Sequence, residues 1–330
     1  MNGTNRTSRK HKSKQQNRRG GARSNQGQNT SGTVSKKQQA ILNAPVKLGD
    51  EVLVTIHGIG SSGEGGVGRV DDFTVFVPFA LPGETVKVVI NMVKKTYATG
   101  RLLEIVTMAP NRIDASCELY GFCGGGCQLQ HITYEGQLSL KTQKVKDVIE
   151  RIGHQNPDLV KPALGPKEPW AYRNKMQMPV GGSKGDIQMG FYAMGGSHDI
   201  VQGTNCPIQD EGNNIIAQAC YQIAKEFDIE PYDEHTGKGV LRHIIGRIGQ
   251  SGWMIILVTA TDYLPHQEKW VEKLTERIPQ VETIVHNVNG KRTNVILGPK
   301  NNVLYGGDGT ITDHIKDLQF TLSPTFILPS

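Results

Sequence analysis

Cys117, Cys123 and Cys127 crowd around Gly124-Gly-Gly126 in a C-x5-C-x3-C pattern, and Cys206, followed directly by Pro207, comes 78 intervening residues later. If all four sulfurs serve one centre, the segment near 206 must fold back onto that loop, and few chain paths do so. Three thiolates on a glycine-rich loop can turn around a single centre while the fourth closes tetrahedral or cubane coordination. Zinc and an iron–sulfur cluster both remain open, and the Cys-Pro pair tilts toward a cluster because ferredoxin ligands show it. The plainer alternative is that these cysteines are small buried hydrophobes. It is preferred for Cys220, which sits in Glu211 to Phe227, a predicted helix with Ile215, Ile216, Ala219 and Ile223 on one face.

Charge is segregated along the 330 residues. Residues 1–40 hold ten Lys and Arg and no acid, leaving 27 basic and 31 acidic groups elsewhere, so the overall +6 divides into +10 and −4. Rich in Asn, Gln, Ser and Gly, residues 1–42 bury too little to order their backbone and are predicted to be a disordered basic tail, suited to phosphate contact. The longest apolar stretch, Trp253 to Val258, is far short of the roughly 20 residues a bilayer crossing needs, and no signal-peptide segment is present. A cytoplasmic location is expected, with cysteines as ligands or free thiols rather than disulfides. A chain of this length is expected to divide into two or three domains.

Gly58, Gly60 and Gly63 satisfy G-x-G-x-x-G after the alternating stretch Glu51 to Ile56, but no helix comes next to present amides to a pyrophosphate. Gly65, Gly66 and Gly68 intervene, then a strand from Phe73, so the dinucleotide reading is rejected. Val86, Val88 and Ile90 alternate, Leu81-Pro82-Gly83 marks a turn, and Tyr97 to Val106 offers another strand, which together predict a small all-β, OB-like barrel over 43–108. Gly68-Arg69, Phe76-Val-Pro78, Leu81-Pro-Gly-Glu-Thr-Val86 and Lys94-Lys-Thr-Tyr97 resemble the TRAM domain, an RNA-binding barrel. That resemblance implies RNA as ligand, with Arg69, Lys94, Lys95 and Arg101 as phosphate contacts, against the alternative of ordinary solvated side chains.

Around the cysteines, Cys123 to His131 (CGGGCQLQH), then Tyr134, Gln137, Leu138 and Lys141, resemble the C-G-G-C-x-x-Q-H signature of the iron–sulfur uracil-5 RNA methyltransferases. Matching continues through Tyr172-Arg-Asn-Lys175, Gly190-Phe-Tyr192, Cys206, Leu241-Arg-His243, Leu297-Gly-Pro299 and Phe320-Thr-Leu-Ser-Pro324, and is nearest the branch that methylates 23S rRNA. The resemblance implies [4Fe-4S] ligands at Cys117, Cys123, Cys127 and Cys206, although the family has two residues where this chain has three glycines. It also implies RNA contacts at Arg173 and Lys175, and 23S rRNA as partner. In such enzymes a cysteine adds to C6 of uracil, C5 takes the methyl of S-adenosylmethionine, and a carboxylate removes the C5 proton.

Those catalytic parts lie beyond a motif that this sequence leaves after Ser323-Pro324. The expected architecture is therefore multidomain: the tail, the barrel, an iron–sulfur loop and helix over 109–165, an α+β central RNA-binding domain over 166–320, and a truncated start of a methyltransferase domain over 321–330. The Rossmann-like methyltransferase domain and its S-adenosylmethionine site are expected to be absent. On this reading the chain is the N-terminal portion of a 23S rRNA uracil-5 methyltransferase, without catalytic residues and inactive alone, completed by a separately encoded catalytic domain. A non-enzymatic RNA-binding iron–sulfur or zinc protein is the alternative.

Local patterns add detail. Gln137 to Ile152 predicts a helix striped by Val145, Val148, Ile149 and Ile152 and capped by Gly153, its apolar face left without a partner. Val240 to Ile248 and Trp253 to Thr259 predict a hairpin, Lys269 to Ile278 a helix with Val271, Leu274 and Ile278 inward, and the glycines at 306–309 hairpin turns. His131 is expected to be a structural hydrogen-bonding histidine.

Overall fold

The computed structural model describes residues 41, 43–60 and 65–326. The basic tail, except residue 41, and the last four residues of the expected 321–330 segment lie outside these, as does Gly63.

Five strands close a barrel in the order β1-β2-β3-β5-β4: β1 (Glu51–Ile59), β2 (Gly66–Val70), β3 (Phe73–Val77), β4 (Thr85–Val93) and β5 (Tyr97–Thr107). Alternate residues Val54, Ile56, Val75, Val77, Val86, Val88 and Ile90 fill its interior, as the period-2 pattern requires. Of the glycines that mimic a dinucleotide loop, Gly58 lies within β1, opposite Val67, and the Gly60 amide donates to the Gly65 carbonyl just ahead of β2. A Cβ at Gly68 would sit 2.3 Å from Val54 Cγ1 and 2.5 Å from the Thr55 carbonyl, so glycine there lets two strands approach closely. Asp71 and Asp72, at φ 44° and 63°, turn β2 into β3.

The barrel is tied to the next loop by a buried ion pair. Glu84 has no exposed surface, and it accepts from Arg112 Nε at 2.6 Å, Arg112 Nη2 at 2.9 Å and the Leu81 amide at 2.8 Å. The loop leads to α1 (Tyr134–Arg151), whose N-cap Thr133 accepts from the Gly136 amide at 3.2 Å. The helix starts three residues before the predicted Gln137, and Gly153 donates to the Val148 carbonyl without a positive φ. Val145, Val148 and Ile152 are exposed, so the expected apolar stripe is uncovered among the described residues.

A seven-stranded sheet organises the rest. Its strands are β6 (Lys175–Ser183), β7 (Asp186–Tyr192), β8 (Ile200–Gln202), β9 (Leu241–Ile248), β10 (Trp253–Thr259), β11 (Val281–Val288) and β12 (Lys300–Tyr305), in the order β12-β11-β10-β9-β6-β7-β8. Helices α2 (Glu211–Glu226) and α3 (Gln267–Arg277) cover one face through Ile216, Cys220, Ile223, Trp270 and Leu274. The hairpin β13 (Ile311–Ile315) and β14 (Leu318–Leu322) covers the other through Ile311 and Leu322. Buried on both faces, β9 and β10 read as nearly continuous apolar runs.

Three expectations for 166–320 change here. The α+β reading missed that β10 and β11 are parallel, joined through α3 as a βαβ crossover, because apolar runs do not reveal strand direction. The glycines at 306–309 form no hairpin between β12 and β13, which pair with β11 and β14 instead. Ile215 is 37% exposed while Ala217 and Cys220 are buried, which rotates the α2 core face relative to the predicted stripe.

Candidate functional site

The loop from Cys117 folds through short turns, with the Tyr120 amide donating to the Cys117 carbonyl and the Cys123 amide to the Leu119 carbonyl. It docks on the end of β7, where the Gly124 amide donates to the Tyr192 carbonyl at 2.7 Å. Each of the three glycines has a local reason. A Cβ at Gly124 would lie 3.0 Å from the Tyr192 carbonyl oxygen, one at Gly125 would lie 3.0 Å from Cys123 Sγ, and Gly126 has φ +99°.

From the other side, the start of α2 holds Cys206. Asn214 Oδ1 accepts from the Cys206 amide at 3.0 Å, and Asn214 Nδ2 donates to the Cys206 carbonyl at 3.3 Å. Cys117, Cys123, Cys127 and Cys206 all line one cavity of about 400 Å³, with Phe191 and Arg173. Burial pushes the Cys123 and Cys206 thiols above their ordinary range. Among the described residues, no three His, Cys, Asp or Glu side chains converge closely enough to hold a single ion.

Beside the loop, Tyr120 Oη donates to the Gln128 carbonyl at 2.8 Å and lies 2.5 Å from His131 Nδ1. Burial, assisted by Arg112, lowers the His131 pKa to about 4. This is a neutral, structural histidine.

The cationic candidates fall into two groups. Arg69 on β2 is opposite Thr74, which is opposite Tyr97, and the Lys94 amide donates to the Tyr97 carbonyl. Arg69, Lys94 and Lys95 therefore share one rim of the barrel, near the edge-to-face pair Phe76–Tyr97. Arg69 is within 3.7 Å of Asp72, and Arg101 lies further along β5, opposite Val89. The second group borders the cysteines: Arg173 lines their cavity and donates from Nε to the Lys175 carbonyl at 3.2 Å. Burial, then Arg247 and Arg173, lowers the Lys175 pKa. Arg247, buried on β9 opposite Lys175, was not singled out from sequence, and neither were Asn214, Glu234 and His198. For Arg247 and Asn214 the available signal was a polar residue inside an otherwise apolar element, whereas Glu234 and His198 lie in loops and gave none.

The TRAM domain family matches residues 45–103. An uncharacterized RNA methyltransferase of Halalkalibacterium halodurans is 43% identical over 88% of this chain and 62% of its own length. One from Clostridium tetani is 43% identical over 85% of this chain and 60% of its own. The chain thus spans about three fifths of the length of the curated relatives it matches. Among solved structures, the tRNA (uracil-54, C5)-methyltransferase of Pyrococcus abyssi, in complex with S-adenosyl-L-homocysteine, superposes with a TM-score of 0.62 at 20% identity, over 84% of this chain and 60% of that one.

Two expectations fall with this finding. The methyltransferase domain was expected to be absent, and the chain an inactive portion, because motif matching stops after residue 324. Yet 84% of the chain shares the fold of a solved methyltransferase, so the described residues themselves carry the relationship. Where motif matching stops tells nothing of the activity. Residues 45–103 are a TRAM domain, and the chain around it is a relative of RNA methyltransferases over most of its length.

Proposed function

We propose that the protein is an S-adenosylmethionine-dependent RNA methyltransferase acting at C5 of uracil in 23S rRNA, in the cytoplasm. The observation that carries this reading is the union, in one chain, of a TRAM barrel with 88% coverage by RNA methyltransferase relatives. S-adenosylmethionine would supply the methyl group. The roles of this chain's own side chains concern RNA and the cysteine cavity. Arg69, Lys94, Lys95 and Arg101 would hold phosphates on the barrel, and Arg173 and Lys175 would hold them beside the cavity.

Within the same reading, Cys117, Cys123, Cys127 and Cys206 hold a [4Fe-4S] cluster that fastens the loop to the start of α2. What supports a shared centre is that all four cysteines line one cavity.

Incubating protein purified without oxygen with methyl-labelled S-adenosylmethionine and either 23S rRNA or tRNA tests the activity. Label at C5 of uridine in rRNA is expected, and label in tRNA alone would overturn the choice of substrate. Labelling in neither would overturn the enzymatic reading. Iron and acid-labile sulfide in the same preparation are expected, and zinc in their place would overturn the cluster.

A further inference from the structure

Strand β9 carries a second feature beside the cysteine cavity. Arg242 and His243 are adjacent and both buried, at 3% and 5% exposure, where apolar residues would be ordinary. Arg242 stacks 4.4 Å over the Tyr232 ring and donates from Nη1 to the Asn289 and Lys291 carbonyls, while its Nε has no partner. His243 Nδ1 has none either. Two unpartnered polar atoms in the interior are costly, and the side chains that carry them line a neighbouring cavity.

That cavity measures about 250 Å³ and is lined by Tyr192, His198, Glu234, Arg242 and His243, among others. Tyr192 Oη donates to Glu234 Oε1 at 3.2 Å and His198 pairs with Glu234 Oε2, so the carboxylate is aimed and held. Tyr192 and His243 also line the cysteine cavity, which makes the two spaces neighbours.

The chemistry narrows the occupant. A carboxylate on the wall disfavours phosphate, and a buried guanidinium disfavours a metal ion. The space is below the roughly 300 Å³ where pockets for drug-sized ligands begin, which suits one flat heterocycle. It must offer donors to Glu234 and an acceptor to the Arg242 guanidinium. Guanine has both, with parallel N1–H and N2–H donors on one edge and the O6 and N7 acceptors beside and behind them. We propose that this pocket takes a guanine base extruded from the bound RNA, read by Glu234 and Arg242. Extruding a base into a fitted pocket is how proteins reach groups that stacking hides.

This inference rests on the RNA-binding reading above, and its test separates the two. Fluorescence anisotropy with the full chain compares labelled oligouridine hexamers carrying one guanosine, inosine, adenosine or cytidine. Inosine lacks only the N2 amino group of guanosine. The guanosine oligomer is expected to bind about tenfold more tightly than the inosine one, the scale of one hydrogen bond to a charged group. Glu234→Gln should erase that ratio while leaving affinity for plain hexauridine unchanged. If Glu234→Gln fails to fold, the wild-type guanosine-to-inosine ratio decides alone. Equal binding of all oligomers, or a ratio that persists in Glu234→Gln, overturns the pocket but leaves RNA binding standing. Binding of none overturns both.

Discussion

The barrel and the cysteine cavity solve the same problem, joining distant chain segments, by opposite means. The barrel is closed and dry: its interior is apolar, its close strand contacts need glycine at 68, and its link to the next loop is the buried Glu84–Arg112 pair. The cavity is open and lined by thiols, Arg173 and glycines, with its fourth cysteine held through backbone hydrogen bonds from Asn214. Apolar burial stabilises the barrel whatever the ligand, whereas burial that raises the Cys123 and Cys206 thiols gives that region no comparable stabilisation. The barrel should therefore survive perturbations that dismantle the cavity.

The largest expected effect tests that directly. Cys206→Ser should abolish iron retention in anaerobically purified protein while far-ultraviolet circular dichroism still reports the barrel strands. Full iron content in the variant would refute the ligand assignment. The opposite perturbation, Glu84→Ala, leaves the Arg112 guanidinium buried without its partner and should cost about 3–5 kcal/mol in denaturant unfolding, with iron content at first unaffected.

Acid should sharpen the contrast. Burial, with help from neighbouring arginines, lowers both His131 and His243 to about 4, below the roughly 6.5 of an unfolded histidine. Between those values the unfolded chain binds more protons, so stability falls as pH drops from about 6.5 toward 4, by on the order of 3 kcal/mol for each histidine. Glu84 behaves differently. Burial pushes its carboxyl up, but Arg112 and the Leu81 and Ala109 amides outweigh that and hold it below the usual range. Its contribution is present above the unfolded carboxylate value of about 4.3 and is lost only as pH falls through the lowered one. Thermal melting against pH should show the histidine region loosening first, and a midpoint flat from pH 7 to 4.5 would contradict this.

Smaller effects distinguish the two cationic groups. Replacing Arg173 or Lys94 with Ala should reduce the salt dependence of RNA binding by about one phosphate contact each. An unchanged slope would assign that residue to solvent. Smallest of all, Gly126→Ala should cost about 1 kcal/mol through its φ of +99°, with no neighbour within 4 Å to clash.

Much of the barrel was legible because its signals are local: alternation at Val86, Val88 and Ile90, and the turn at Leu81-Pro-Gly83, require only near neighbours in sequence. Strand β2 was missed because glycines carry no alternation. The hairpin β9–β10 was legible for the same local reason, but the parallel pairing of β10 with β11 was not, since a fully buried strand reads alike in either direction.

At the cavity, the sequence determined which sulfurs are available and that three glycines separate Cys123 from Cys127. Only the tertiary structure decided that Cys206 returns to them, that Asn214 holds it there, and that Arg242, His243 and Glu234 face a neighbouring space. The physical reason is range. Periodicity and turn chemistry act over a few residues, whereas the meeting of cysteines with 78 residues between them depends on how a whole sheet and its helices pack.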